Sequence, residues 1–378
     1  MATPTSDSYA AASGATIYGG RFAPVVLPAW LAGKALNEWF PISGVGWNTS
    51  GYGGSSIDPW GAWADTPAGL LVIPAAGGHH DSSDNRVTSL DLKADAPTWT
   101  LRHAASAGGD VVIDQAYYLD GLPSSRHLYG QAHWSAVRNR VMTLGAQFVW
   151  GNGYGLPNVD GFSLDTNTWD AAGTYPNSIA GWYGEVLDAN GDGWAFLTPA
   201  LGARKWTAST GVWSDPGVTV PAGWARSPWV LNTSDGSLFG CCWNDNRAGG
   251  SLAAPLAINA ARFNVGSNTM TQITFNASAA KTQFETDQPD YAGMVYDSAN
   301  NRFLFYSGKG ASAGRVYIIT PNGTSVWDIS LFNFGAGSTP PGATVNAGLN
   351  GRISFIPSLG VVVCAPGASS NLYAFKVA

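Results

Sequence analysis

The stretch that decides the fold is His133-Trp-Ser-Ala-Val137, a turn at Arg138-Asn139, then Arg140-Val-Met-Thr-Leu-Gly145 and, after a long loop, Asp160-Gly-Phe-Ser-Leu-Asp165 with Trp169 behind it. β-Branched and aromatic residues in short runs favour extended backbone, and Asn or Gly between two runs supplies the turn. The unit is therefore a β-run, a turn, a second run ending in Gly, a loop, a third run ending in an aliphatic-Asp pair, and a short Trp strand. Working outward, the same unit recurs. Upstream it reads Gly69-Leu-Leu-Val-Ile-Pro-Ala-Ala-Gly-Gly78, Arg86-Val-Thr-Ser-Leu-Asp-Leu92 and Thr98-Trp-Thr-Leu101. Downstream, one copy runs from 182–187 through Asn190-Gly191 to Trp213, and a second from 227–231 through Asp235-Gly236 to 270–274. A third runs from 292–296 through Asn300-Asn301 to Trp327.

The last copy has only three runs, 352–355, 360–364 and 371–375, while Asn37-Glu-Trp-Phe-Pro-Ile42 carries the Trp signature of an outer strand. Repeats of this kind mark propellers and solenoids. A four-stranded sheet cannot bury both faces alone, whereas blades packed in a ring can. The expectation is an all-β, six-bladed β-propeller whose last blade is closed by the N-terminal strand. A seventh blade stays open, because residues 44–63 have room for strands. Residues 1–36 are assigned to an N-terminal arm, rich in Ala, Ser, Gly and Thr up to Gly20, and 37–378 to one propeller domain.

Composition agrees. Charged residues make 12% of the 378, against roughly 25% in typical soluble chains, while Gly is 48, Trp 17 and hydrophobic residues 45%. That excludes a disordered chain, a coiled coil or a helical bundle. A net charge of -6 leaves no electrostatic footprint for a phosphate backbone, so nucleic acid is not an expected partner. Three cysteines, at 241, 242 and 364, cannot build a disulfide framework. No stretch approaches the ~20 apolar residues of a membrane span. Residues 1–20 lack the basic and apolar regions of a secretory signal, which places synthesis in a cytoplasm.

Gly77-Gly78-His79 at the end of a second strand, Arg86-Val87 with Leu90-Asp91 in a third, and Trp169 four residues after Asp165 resemble the kelch family of β-propellers. The resemblance spans about residues 62–378, with the Gly-Gly pair intact only at Gly77-Gly78. It implies the fold and not an activity. The first 25 residues, with Ala2-Thr-Pro-Thr-Ser-Asp7 and Ser13-Gly-Ala-Thr-Ile-Tyr18, resemble the leaders of structural proteins from tailed bacteriophages. That implies a place in the virion and contacts to other virion proteins through the arm.

In a four-stranded blade, the loop between the second and third strands and the segment entering the next blade emerge on one face of the disc. Candidate ligand-binding residues there are His79, His80 and Asp81; Phe148, Trp150, Asn152 and Tyr154; Trp243, Asn244, Asp245 and Arg247; and Lys309. Arg126, His127, Trp182 and Tyr291 join them from the incoming segments. Flat aromatics among short polar groups suit a sugar ring, and equally a neutral protein contact. No metal or cofactor is expected. Adjacent His79 and His80 point to opposite sides of a strand, and with His127 and His133 they show no ligand spacing. Asp188-Ala-Asn-Gly-Asp-Gly193 has the alternating oxygens of a calcium loop but puts Pro199 where the bidentate acid belongs. A hairpin around Asn190-Gly191 is the simpler reading, with calcium at Asp188, Asn190 and Asp192 left open. The expected function is a non-catalytic structural or receptor-binding component of a phage particle, engaging partner subunits, copies of itself or a bacterial surface glycan. The alternative is a propeller-type polysaccharide lyase or hydrolase drawing on His80, His127, Tyr154, Arg126 and Arg247. No catalytic residue is assigned.

Overall fold

A computed structural model describes residues 27–50, 52, 61–77, 82–145, 148–151, 158–176, 184–197, 202–220, 228–243, 258–287, 289, 292–308, 312–343, 349, 351–367 and 370–377. Six antiparallel sheets follow one another around a ring. Blade 1 comprises Ala64–Asp65, Leu70–Pro74, Val87–Asp91 and Trp99–His103; blade 2 comprises Ala132–Ser135, Arg140–Thr143, Asp160–Ser163 and Thr168–Trp169. Blade 3 is Gly184–Leu187, Gly193–Phe196, Ala203–Thr207 and Val212–Ser214, and blade 4 is Trp229–Leu231, Leu238–Trp243, Ile258–Asn264 and Thr269–Gln272. Blade 5 is Gly293–Asp297, Arg302–Tyr306, Val316–Thr320 and Val326–Leu331, and blade 6 is Ile353–Ile356, Val361–Cys364, Asn371–Lys376 and the N-terminal Trp39–Gly46. The ring has six blades, as the repeat count anticipates.

Burial follows from position in the blade. Middle strands are covered on both faces by neighbouring blades, so all four residues of Val361–Cys364 and the first four of Val87–Asp91 are buried. Outer strands are half solvated, as in Val212–Ser214 and Thr269–Gln272. Trp99, Trp169, Trp213 and Trp327 each occupy an outer strand, the place the Trp signature assigns them. Neighbouring blades lock through aromatic contacts: Phe196 stacks on Trp229 at 3.8 Å between blades 3 and 4, and Phe239 meets Phe303 at 4.6 Å between blades 4 and 5. The hairpin turns carry Asn139, Gly191, Gly236 and Asn301 with φ of 53°, 81°, 73° and 49°, the left-handed backbone that Asn and Gly tolerate best.

The ring closes as expected, two residues later than the sequence suggests. Trp39 pairs with Phe375, Phe40 with Ala374 and Ile42 with Leu372. Trp39 is 1% exposed, its ring meets Phe375 and Tyr306 edge-on, and its indole N–H donates to the Gly314 carbonyl of blade 5 at 3.1 Å. Residues 27–36, which the sequence reading counts in the arm, lie against the propeller. Leu31 is in the core and the Trp30 indole donates to the Leu92 carbonyl at 2.9 Å. Residues 1–26, which carry the rest of the arm, lie outside the described residues.

Two additions have no counterpart in the repeat. Arg126–His127 and Phe148–Val149 form a two-stranded ribbon beside blade 2. Between blades 4 and 5, Thr274–Phe275 adds in parallel to Val326–Leu331, and the helix Ala279–Asp287 packs Phe284 onto Phe305 and Tyr317. Asp287 at its end pairs with Arg315 and accepts from the Tyr317 hydroxyl, which pins the helix to blade 5.

Candidate functional site in the central channel

The innermost strands of the six blades surround a cavity of about 410 Å³ on the ring axis, within the range of small-ligand pockets. The second residue of each innermost strand contributes to its wall. In blades 1 to 3 these are Asp65, His133 and Glu185; in blades 4 to 6 they are Val230, Met294 and Ser354. Half of these six positions are thus titratable and half are apolar or neutral. Trp63, Trp229, Tyr296 and Phe355 add aromatic surface, and no Lys or Arg occurs among the described lining residues. On one side the channel is pinched by backbone: Gly351 has φ +79°, and a Cβ there would lie 2.5 Å from the Gly130 Cα.

Glu185 is 7% exposed. Its Oε1 accepts from the Gln131 side-chain amide of blade 2 at 3.0 Å, while Glu185 Oε2, Gln131 Oε1 and His133 Nε2 are buried without a partner. Burial pushes the Glu185 carboxyl up to about 8, the Gln131 bond opposing the rise, so the group carries its proton at neutral pH. Burial likewise holds the His133 imidazole down to about 4, neutral at the same pH. Asp65 is exposed at the channel wall. Loss of bulk water raises its pKa, and its own backbone N–H and the Ser354 hydroxyl of blade 6 oppose the rise. Ser354 also accepts the Trp63 indole N–H at 2.9 Å, so the seam between blades 6 and 1 is better satisfied than that between blades 2 and 3.

The residues expected from the face loops fare differently. Arg126 is fully buried; its Nη1 donates to Asp160 at 2.8 Å and its Nε to the Ser124 carbonyl at 3.0 Å. His127 is 1% exposed, and its Nδ1 lies 3.1 Å from the Tyr129 hydroxyl. Trp150 is half-buried beside them, its N–H bonded to the Ser125 carbonyl at 2.8 Å. The structure thus brings Arg126, His127 and Trp150 together on one ribbon. Trp243 ends the second strand of blade 4, its backbone opposite Ile258. His79, His80, Asp81, Asn152, Tyr154, Trp182, Asn244, Asp245, Arg247, Tyr291 and Lys309 lie outside the described residues. The oxygens of the calcium-like stretch serve its hairpin. Asp188 accepts the N–H groups of Asn190 and Asp192 and the Trp194 indole, and Asp192 pairs with Lys205 at 2.8 Å.

No family model matches the chain, and no curated protein matches it. Solved structures do. The Penicillium chrysogenum alpha-L-arabinanase complexed with arabinobiose is similar over 90% of this chain and 98% of its own, at 11% identity and a TM-score of 0.50. Streptogramin B lyase is similar over 85% of this chain and 94% of its own, at 14% identity and a TM-score of 0.42. The structure of YjhT is similar over 72% and 97%, at 13% identity and a TM-score of 0.42. The likeness is one of fold. The kelch pattern around Gly77-Gly78-His79 rests on the sequence alone.

The aligned inner strands hold the signal that loop-based reasoning passes over. Ala64-Asp65, Ala132-His133 and Gly184-Glu185 each put a titratable group after a small residue, where the later blades have Trp229-Val230, Gly293-Met294 and Ile353-Ser354. Burying an ionisable group inside an apolar repeat is costly, and the appearance of one at the same repeat position in three successive blades is what marks the channel.

Proposed function

We propose that this chain is a non-catalytic binding propeller, a structural or receptor-binding component of a bacteriophage particle that holds its ligand at the central channel. The channel wall carries this reading: it sets hydrogen-bonding groups, concentrated in blades 1 to 3, among apolar and aromatic side chains. Glu185 lines the cavity but is 7% exposed and tied to Gln131 across the seam between blades 2 and 3, which suits binding and not proton transfer. The phage context draws on the N-terminal segment, with contacts to other virion proteins through residues 1–26 and to a partner subunit or surface glycan through the disc. The kelch-type architecture and the division into an arm and one propeller domain belong to the same proposal.

Deleting residues 2–20 is expected to leave a folded propeller that no longer incorporates into particles, read by thermal melting and by particle co-purification. Normal incorporation of the truncated chain would overturn the role of the arm. Incubation with bacterial surface glycans is expected to give binding without new reducing ends or unsaturated-uronate absorbance. Turnover would overturn the non-catalytic reading.

A further inference from the structure

We infer that the central channel is a binding site for an organic ammonium group, held between the carboxyl-bearing inner strands of blades 1 and 3 and the aromatic and apolar wall of blades 4 to 6. This deepens the reading of the channel as a non-catalytic binding site and rests on it. Two carboxyls, Asp65 and Glu185, line one cavity, and no Lys or Arg stands among its described lining residues to balance them. Glu185 is more than nine-tenths buried, has one amide partner, and keeps Oε2 unpartnered. Trp229, Tyr296 and Phe355 line the same cavity beside Met294, Trp229 and Tyr296 with only their edges exposed, at 5% and 6%. Aromatic faces attract cations, most strongly where water is excluded. A buried carboxylate acts on a cation through the low-dielectric wall without touching it, whereas Asp65, on the wet side of the wall, can pair with it directly. A metal ion is a poorer fit, because among the described residues no three His, Cys, Asp or Glu side chains stand close enough to hold one.

The protonation state of Glu185 follows from its burial. Burial pushes the Glu185 carboxyl up, and a cation in the channel favours its ionised form, so binding is linked to proton release from Glu185. The groups facing Glu185 leave that linkage intact. Gln131 is neutral, and His133 is held uncharged above about pH 4. The adjoining blade 4 strand presents Trp229, Val230 and Leu231, and Asp188 on its own blade is engaged by its turn. Tyr129 and Tyr296 are the phenols of the same wall.

The test is calorimetric titration of the full chain with choline chloride and with its uncharged isostere, in which a tert-butyl group replaces the trimethylammonium. Ionic strength is fixed and pH runs from about 6 to about 9. Choline is expected to bind at least roughly tenfold tighter than the isostere. Its affinity should rise roughly tenfold across this window and level off above about pH 8 as Glu185 ionises. Glu185→Gln should bind choline with a flat pH profile, and Asp65→Asn should weaken binding roughly tenfold, each variant being checked by its thermal melt. Equal affinity for the isostere, affinity that falls with rising pH, or no binding at tens of millimolar choline would overturn the proposal. Displacement of choline by submillimolar calcium would overturn it too, by assigning the carboxyls to a metal. Glycan turnover bears on the non-catalytic reading alone, so the two fail separately.

Discussion

Two buried polar sites in this ring are built in opposite ways. At the ribbon beside blade 2, Arg126 and Asp160 form an ion pair exposed to 0% and 4%, and each has further partners: the Ser124 carbonyl for Arg126 and the Tyr117 hydroxyl, at 2.9 Å, for Asp160. At the channel, Glu185 has a single amide partner, and its own Oε2, Gln131 Oε1 and His133 Nε2 have none. Burying a charge is tolerable when its hydrogen bonds are complete and costly when they are not. The first site is therefore structural, tying the long connection between blades 1 and 2 to the ring. The second keeps an unmet demand for a partner at the one place where all six blades meet.

The largest expected effect breaks the satisfied site. Arg126→Ala leaves Asp160 buried without its counter-charge and is expected to cost about 3–5 kcal/mol, seen as a large fall in melting temperature. A loss below about 1 kcal/mol would remove the contrast. Next comes the pH dependence of the unsatisfied site. The folded pKa of Glu185 lies near 8, above its ordinary 4.5, so its protonated form stabilises the fold and that stability is lost as pH rises from 4.5 through 8. His133 has the opposite sign: its neutral form is favoured, so stability is lost as pH falls from 6.5 through about 4. The two slopes offset between about pH 4.5 and 6.5, and Glu185 dominates above. From pH 6.5 to about 9 the wild type should lose about 2 kcal/mol, and Glu185→Gln should lose little, in urea unfolding at each pH. The smallest effect sharpens the comparison. Tyr117→Phe removes one of the two side-chain partners of Asp160 and should cost about 1 kcal/mol, with the ion pair holding the rest in place.

What the sequence disclosed and what it concealed follow the same division between local and distant causes. Asn139, Gly191, Gly236 and Asn301 mark turns because left-handed backbone is a local demand. The Trp strands and the closing pair of Trp39–Gly46 with Asn371–Lys376 are legible because each copy of the repeat poses the same packing problem. Ala64–Asp65 is two residues long and carries no periodicity to read. The helix Ala279–Asp287 owes its position to Phe305, Tyr317 and Arg315 of blade 5, which no local pattern announces. At the candidate site, loop topology singled out Arg126 as a ligand-binding residue on one face of the disc. Its partner Asp160 lies 34 residues away, and nothing near Arg126 in the chain signals that its charge is already matched. Glu185 sits in a run recognised as a strand, yet its meaning emerges only when the first strands of all six blades are compared.

The account turns on a carboxyl that stays protonated at neutral pH because burial in the channel wall removes it from water. The chain has three glutamates, Glu38, Glu185 and Glu285, so carboxyl carbon NMR of glutamate-labelled protein reads them one by one. One of the three signals should titrate near pH 8 and be the signal absent from Glu185→Gln. Three signals that have all finished titrating below about pH 6 would contradict it.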